Sequence, residues 1–138
     1  MFLLLDQCET VDRSASAHRM MIRIRQMTDF ILRNYKEPIT LHEIASAAGI
    51  GKSEANRCFQ RLLHTTPVTW LICFRLQKAK ELIETSDITI SSVAAETGFS
   101  DCNYFSRVFR KIYGISPSTC RNNSLEKHLP GEFHPPRF

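Results

Sequence analysis

Several signatures are missing from this chain of 138 residues, and each absence removes a class of function. No apolar run approaches the roughly 20 residues needed to cross a bilayer, so no membrane partner is expected. Met1-Phe2-Leu3-Leu4-Leu5 lacks a basic start, is too short for a secretory signal and is ended by Asp6. The five cysteines (Cys8, Cys58, Cys73, Cys102 and Cys120) form no C-x-x-C pair. Their odd number argues against a disulfide framework and fits a reducing cytoplasm. The five histidines (His18, His42, His64, His128 and His134) show no H-E-x-x-H spacing, so no metal is expected. Gly49-Ile50-Gly51 lacks the preceding strand and third glycine of a phosphate loop, and no cofactor is expected. No nucleophile stands beside a base, which argues against an enzyme.

What is present is basic charge, unevenly placed. The formal charge is +4 and the pI is near 8.9. Between Arg19 and Arg121 stand 15 Lys/Arg and 9 Asp/Glu, whereas the flanks hold 3 basic and 5 acidic residues. The basic middle suits a polyanionic partner.

That middle repeats itself. Leu41-His42-Glu43-Ile44-Ala45-Ser46-Ala47-Ala48-Gly49-Ile50, then Arg57-Cys58-Phe59-Gln60-Arg61, then Thr66-Pro67, form a first copy. Ile90-Ser91-Ser92-Val93-Ala94-Ala95-Glu96-Thr97-Gly98-Phe99, then Arg107-Val108-Phe109-Arg110-Lys111, then Ser116-Pro117, form a second. The offset is 49 residues at the glycines and 50 at the phenylalanines, so the second copy holds one extra residue between them. Two copies are too few for a solenoid, and each is long enough for one small helical unit.

Between the copies, Thr66-Pro67 opens a helix with an N-cap and a first-turn proline. Val68, Leu71, Ile72, Leu76, Ala79, Leu82 and Ile83 recur at three- and four-residue steps. With Trp70 and Phe74 added, the first half of this helix is expected to be buried nearly all round. The resulting division is 1–18 as a linker or stub, 19–66 as a first unit, 67–85 as a linker helix, 86–121 as a second unit and 122–138 as a flexible tail. A helix is expected from about Arg19 to Tyr35. Thr40-Leu41-His42-Glu43 reads as a capping box, and Ser100 as the cap of the helix ending at Tyr113. The fold class is all-α, with two helix-turn-helix subdomains joined by a long helix and about seven helices in total.

Each copy is a short helix, a turn with glycine and a second helix, a motif whose second helix can enter the major groove of DNA. The outward positions carry suitable residues: Lys52, Ser53, Glu54, Asn56, Arg57 and Arg61 in one copy, and Asp101, Cys102, Asn103, Tyr104, Ser106, Arg107, Arg110 and Lys111 in the other. Arg reads guanine, Asn reads adenine, Glu accepts from cytosine, and Lys or Ser holds phosphate. Thr40, Lys52, Arg61, Ser100, Tyr104, Arg110 and Lys111 are the expected contacts to the DNA backbone. A linking helix of about 27 Å compares with a DNA turn of roughly 34 Å, so the two second helices can face successive major grooves.

The second copy, Ile90-x-x-Val93-Ala94-x-x-x-Gly98-Phe99-x-Asp101-x-x-Tyr104-Phe105-x-Arg107-x-Phe109-Arg110-x-x-x-Gly114-x-Ser116-Pro117, resembles the signature of the AraC/XylS family of bacterial transcription regulators. Pro67-x-x-Trp70-Leu71-x-x-x-Arg75-Leu76-x-x-Ala79 is similar to the start of that family's linker helix. The resemblance implies double-stranded promoter DNA as partner, transcription activation through RNA polymerase, and base reading by Ser53, Glu54, Asn56 and Arg57 and by Cys102, Asn103, Ser106 and Arg107. His64 stands where the family commonly has glycine, and Cys120 where it commonly has an aromatic residue.

Blander readings stand beside these. Arg57 and Arg107 can be surface arginines or partners of Glu54 and Asp101. Cys58 aligns with Val108 and reads as a core residue. The run from Lys78 to Glu84 reads equally as a solvated face. Two rival functions are a helical protein-docking module and a cysteine methyl acceptor of the DNA-repair type. Unequal reading residues, and the absence of a heptad seam, lead to the expectation of a monomer on an asymmetric DNA site.

Overall fold

A computed structural model describes residues 2–127, with side chains from 13 to 126. These residues form seven α-helices and, among the described residues, no strand: α1 (Phe2–Asn34), α2 (Leu41–Ala47), α3 (Lys52–Leu63), α4 (Pro67–Thr85), α5 (Ile90–Glu96), α6 (Cys102–Tyr113) and α7 (Pro117–Lys127). The all-α class with seven helices is borne out. Two compact units emerge, Met1–Leu71 and Ile72–Phe138. Their boundary falls inside α4, so the linker helix is shared out rather than standing as a separate body.

In the first unit α1 packs on α2 and α3, and α2 on α3. Met20, Met27 and Ile31 of α1 are buried, as are Ile44 and Ala45 of α2, Ala55, Cys58 and Phe59 of α3, and Leu71 of α4. Phe59 meets Trp70 edge-on, with ring centroids 6.4 Å apart. Cys58 is fully buried, in keeping with a small core residue. The second unit is built on Leu76, Ala79, Ile83, Val93, Ala94, Phe99, Phe105, Phe109 and Cys120. Cys120, where the family commonly has an aromatic residue, is part of that core.

Local chemistry sets the helix ends. The Thr40 hydroxyl accepts from the Glu43 N–H at 3.2 Å, and the Glu43 carboxylate accepts from the Thr40 N–H at 2.8 Å, completing the capping box. Thr89 accepts from the Ser92 N–H at 3.1 Å at the start of α5. Gly49 and Gly98 follow α2 and α5 with φ of 66° and 92°, a region costly for other residues.

Four details differ from the sequence reading. First, α1 begins at Phe2, so residues 2–18, read as a linker or stub, are helical. Residues 13–19 are exposed on every side and leave no apolar period to detect; a helix already nucleated further along extends through them at little cost. Second, α7 continues past Arg121 to Lys127, so the start of the expected tail is helical; residues 128–138 lie outside the described residues. Arg121 anchors α7 by donating to the carbonyls of Ile83 and Ile88. Third, Asp101 rather than Ser100 caps α6, because its carboxylate accepts from the Asn103 N–H at 2.8 Å. Fourth, Val68 and Cys73 are exposed, so the first half of α4 is not buried all round. In its first turns Pro67 and Leu71 are buried, leaving the opposite side to solvent.

Candidate DNA-binding surface

The second helix of each unit has 12 residues, and the two helices are offset by 50 at both ends (52 to 102, 63 to 113). The first helices have 7 residues each, offset by 49 (41 to 90, 47 to 96). The extra residue therefore lies in the turn, which runs from 48 to 51 in one unit and from 97 to 101 in the other. Equivalent positions follow directly: 53 with 103, 54 with 104, 56 with 106, 57 with 107 and 61 with 111.

Burial divides each second helix into an inner and an outer side. Ala55, Cys58 and Phe59 face inward on α3, as do Phe105 and Phe109 on α6. On α3, Lys52, Ser53, Arg57 and Arg61 are exposed, and Glu54 and Asn56 are half-buried. On α6, Asn103, Tyr104, Arg107, Arg110 and Lys111 are exposed, and Cys102 and Ser106 are half-buried. Every residue expected to read bases thus has solvent access, and in each unit these residues share one helix side. Thr40 and Ser100, expected at the backbone, are exposed at the start of α2 and in the turn before α6.

The outer sides of the two helices are held differently. Glu54 Oε1 accepts from Arg23 Nη1 of α1 at 3.3 Å, and Arg57 Nη1 lies 4.0 Å from Glu54 Oε2. At the equivalent place, the Arg107 guanidinium sits over the Tyr104 ring at 5.6 Å from its centroid. Tyr104 leans on Phe99 at 6.3 Å. Arg57 does pair with Glu54, as the blander reading allowed, while Asp101 is occupied in capping. Half-burial lowers the pKa of the Arg75 guanidinium on α4, and nearby Tyr104 opposes that shift. The Cys102 sulfur accepts from the Ser91 hydroxyl at 3.7 Å.

Three features escaped the sequence reading. Arg23 was not linked to Glu54, since 31 residues separate them and no local pattern joins them. Thr89 is the structural counterpart of Thr40 and is equally exposed. Paired hydroxyls, Thr66 with Thr69 at 2.9 Å and Ser116 with Thr119 at 2.8 Å, open α4 and α7 alike. Their signal was legible as Thr66-Pro67-x-Thr69 against Ser116-Pro117-x-Thr119.

Elsewhere, Lys78 pairs with Glu81 and Lys80 with Glu84, both at 3.5 Å along α4. Such exposed pairs contribute little to stability and describe a solvated face. No helix among the described residues is long and apolar enough to cross a membrane.

Comparison with known proteins bears on this surface. A family model described as a helix-turn-helix domain matches residues 44–123, more than half of the chain. The uncharacterized HTH-type transcriptional regulator YdeC of Bacillus subtilis is 32% identical over 112 residues, covering 81% of this chain and 36% of that protein. The lactose operon transcription activator of Staphylococcus xylosus is 30% identical over 100 residues, covering 72% of this chain and 36% of that protein. The chain thus spans about a third of the length of these curated relatives. Among solved structures, the DNA-binding domain of the global transcriptional factor AdpA, in complex with a target DNA, superposes with a TM-score of 0.73 at 27% identity, covering 78% of this chain and 96% of that one.

Proposed function

Since the chain belongs to the AraC-type helix-turn-helix family of transcription regulators, we propose that it binds double-stranded promoter DNA through α3 and α6 and activates transcription by contacting RNA polymerase. The observation that carries this reading is the duplicated second helix: apolar on its inner side, and rich in Arg, Asn and Ser on its outer side, in both units. Arg57 and Arg107, with Asn56 and Asn103, have the donor patterns that distinguish guanine and adenine in the major groove. Lys52, Arg61, Arg110 and Lys111, with the hydroxyls of Thr40, Ser100 and Tyr104, serve the phosphates, which fix register without reading sequence. Thr89 joins that set by its equivalence to Thr40.

One chain supplies two reading helices, so a dimer is not needed to cover a site. The chain binds as a monomer. Because Ser53, Glu54, Asn56 and Arg57 differ as a set from Cys102, Asn103, Ser106 and Arg107, the half-sites differ in sequence and lie about 10 base pairs apart in successive major grooves. The bacterial cytoplasm is the compartment that offers such DNA. The reading calls for no cofactor and no catalytic group, and methyl transfer to none of the five cysteines is expected.

Sedimentation of the chain with a duplex selected from random sequences tests stoichiometry and asymmetry together. One chain per short duplex and a non-palindromic consensus are expected. Two chains, or a palindrome, overturn the monomer reading. Salt titration tests DNA binding itself: log K falls linearly with log salt, whereas a protein-docking module shows no such dependence on duplex DNA.

A further inference from the structure

Glu54 is the one acidic side chain on the reading side of α3, where a carboxylate repels the phosphates on either edge of the groove. Its two oxygens are divided between two arginines. Oε1 is hydrogen-bonded to Arg23 at 3.3 Å, and Oε2 lies 4.0 Å from Arg57, an ion-pair distance too long for a hydrogen bond. The Glu54 and Arg23 side chains are 37% and 36% exposed, while Arg57 is 60% exposed. Arg57 is thus the free end of the group, and Glu54 and Arg23 are its fixed end.

We propose that Arg23 of α1 is a specificity-determining residue for the DNA contact of α3, acting through Glu54 to leave Arg57 available for guanine. The inference rests on the DNA-binding reading above and assigns Glu54 a positioning role within it. An unrestrained carboxylate at position 54 is one helical turn from Arg57, a spacing at which opposite charges pair. It competes with guanine for the same guanidinium fork. Arg23 holds the carboxylate from the α1 side and neutralises it, so the Arg57–Glu54 pair stays long. Breaking a buried bidentate pair is not required when Arg57 turns to the DNA, because no hydrogen bond joins it to Glu54.

The group is specific to the first unit. Tyr104 occupies the equivalent position of the second unit, and Arg107 rests on its ring. Arg107 therefore has no carboxylate competitor one turn before it on its own helix.

The test is a double-mutant cycle in the full chain, read as guanine preference at one base pair of a selected duplex. Arg23→Ala is expected to weaken binding to that duplex and reduce the guanine preference roughly five-fold or more, through recapture of Arg57 by Glu54. Glu54→Gln alone is the reference against which the double variant is read. Combined with Arg23→Ala, it is expected to restore the preference, because no carboxylate remains to recapture Arg57. Arg23→Lys, which keeps the charge, is expected to retain most of the preference. If Arg23→Ala weakens all sequences alike and Glu54→Gln does not rescue it, Arg23 is a phosphate contact and the inference is overturned. If Glu54→Gln alone abolishes the guanine preference, Glu54 is a reader and the inference is overturned. Circular dichroism of each variant reports loss of fold, and a destabilised Arg23→Ala chain that Glu54→Gln fails to rescue also counts against the proposal. Absence of salt-dependent DNA binding by the parent chain sinks the DNA-binding reading itself, and is thereby distinguished from these outcomes.

Discussion

Position 54 carries glutamate in the first unit, and the equivalent position 104 carries tyrosine in the second. Each sits one turn before an arginine on the outer side of a 12-residue helix, and each engages that arginine, by ion pair in one case and by the face of an aromatic ring in the other. The inner sides diverge in the same direction. Between α5 and α6 a chain of rings runs through Phe99, Phe105, Phe109 and Tyr113, with centroid separations of 5.0, 5.7 and 4.7 Å. The first unit has Ile50, Ala55, Phe59 and Leu63 at the matching places, with Trp70 of α4 edge-on to Phe59. One backbone plan is thus filled twice: Ile50 and Ala55 in the first unit stand where the second has the rings of Phe99 and Phe105. Ring contacts depend little on salt or pH, whereas the Arg23–Glu54–Arg57 group depends on both charge and geometry.

The largest expected effect comes from making the second unit resemble the first. Phe105→Ala places at position 105 the residue type that stands at 55. Phe105 is fully buried between two rings, so the change leaves a cavity and costs about 3–5 kcal/mol. Urea unfolding followed by circular dichroism measures it. A loss below about 1 kcal/mol means that the aromatic chain repacks freely, and the contrast drawn between the two cores fails.

Next in size is the proposed DNA contact. Arg57→Ala is expected to cost about 1–3 kcal/mol of binding and to relax preference at one base pair, as loss of a bidentate guanine contact does. Arg107→Ala is expected to relax a different base pair in the other half-site. Site selection with both variants checks this. A shared altered position, or equal weakening on every sequence, breaks the equivalence of the two reading helices.

Much of this arrangement is legible before any coordinates. Thr40 and Glu43 announce the start of α2, and Thr66-Pro67 that of α4, because caps are local and their chemistry needs only three or four residues. The duplicated glycines and phenylalanines place both second helices to within about a residue at their starts. Three kinds of information are not local. Residues 13–19 are all exposed, so the helicity of 2–18 follows from continuation of α1 rather than from a period of their own. The exposure of Val68 and Cys73 depends on what packs beside α4. The Arg23–Glu54 contact depends on how α1 lies against α3, which no spacing rule supplies. The choice of Asp101 over Ser100 as a cap is a one-residue shift between two competent cap residues.

The caps themselves offer a smaller contrast. Thr40 has a reciprocal partner in Glu43, whereas Thr89 has Ser92 at that place, with the two hydroxyls 2.9 Å apart. Thr40→Ala is therefore expected to destabilise by about 1–2 kcal/mol and Thr89→Ala by about 0.5–1 kcal/mol. Thermal unfolding of the two variants ranks them; the reverse order removes the capping box as the reason α2 is the better-anchored of the two short helices.

The smallest expected effect is also the one whose sign is least intuitive. Both second helices end on a left-handed residue: His64 with φ 55° and ψ 32°, and Gly114 with φ 77° and ψ −6°. A side chain is disfavoured in that region because its Cβ crowds the following carbonyl, although histidine tolerates it better than most. Glycine has no such penalty, yet it loses more freedom on folding, which offsets part of the gain. The balance predicts that His64→Gly stabilises the first unit by roughly 0.5–1 kcal/mol. The mirror substitution isolates the backbone contribution. A Cβ built on Gly114 meets nothing within 4 Å, so Gly114→Ala brings no clash, only the left-handed strain, and is expected to destabilise by about 1 kcal/mol. Opposite shifts in melting temperature for the two variants are the expected result. A lower melting temperature for His64→Gly means that the exposed imidazole contributes more than its backbone strain costs, and the two helix ends are then alike in conformation but not in energetics.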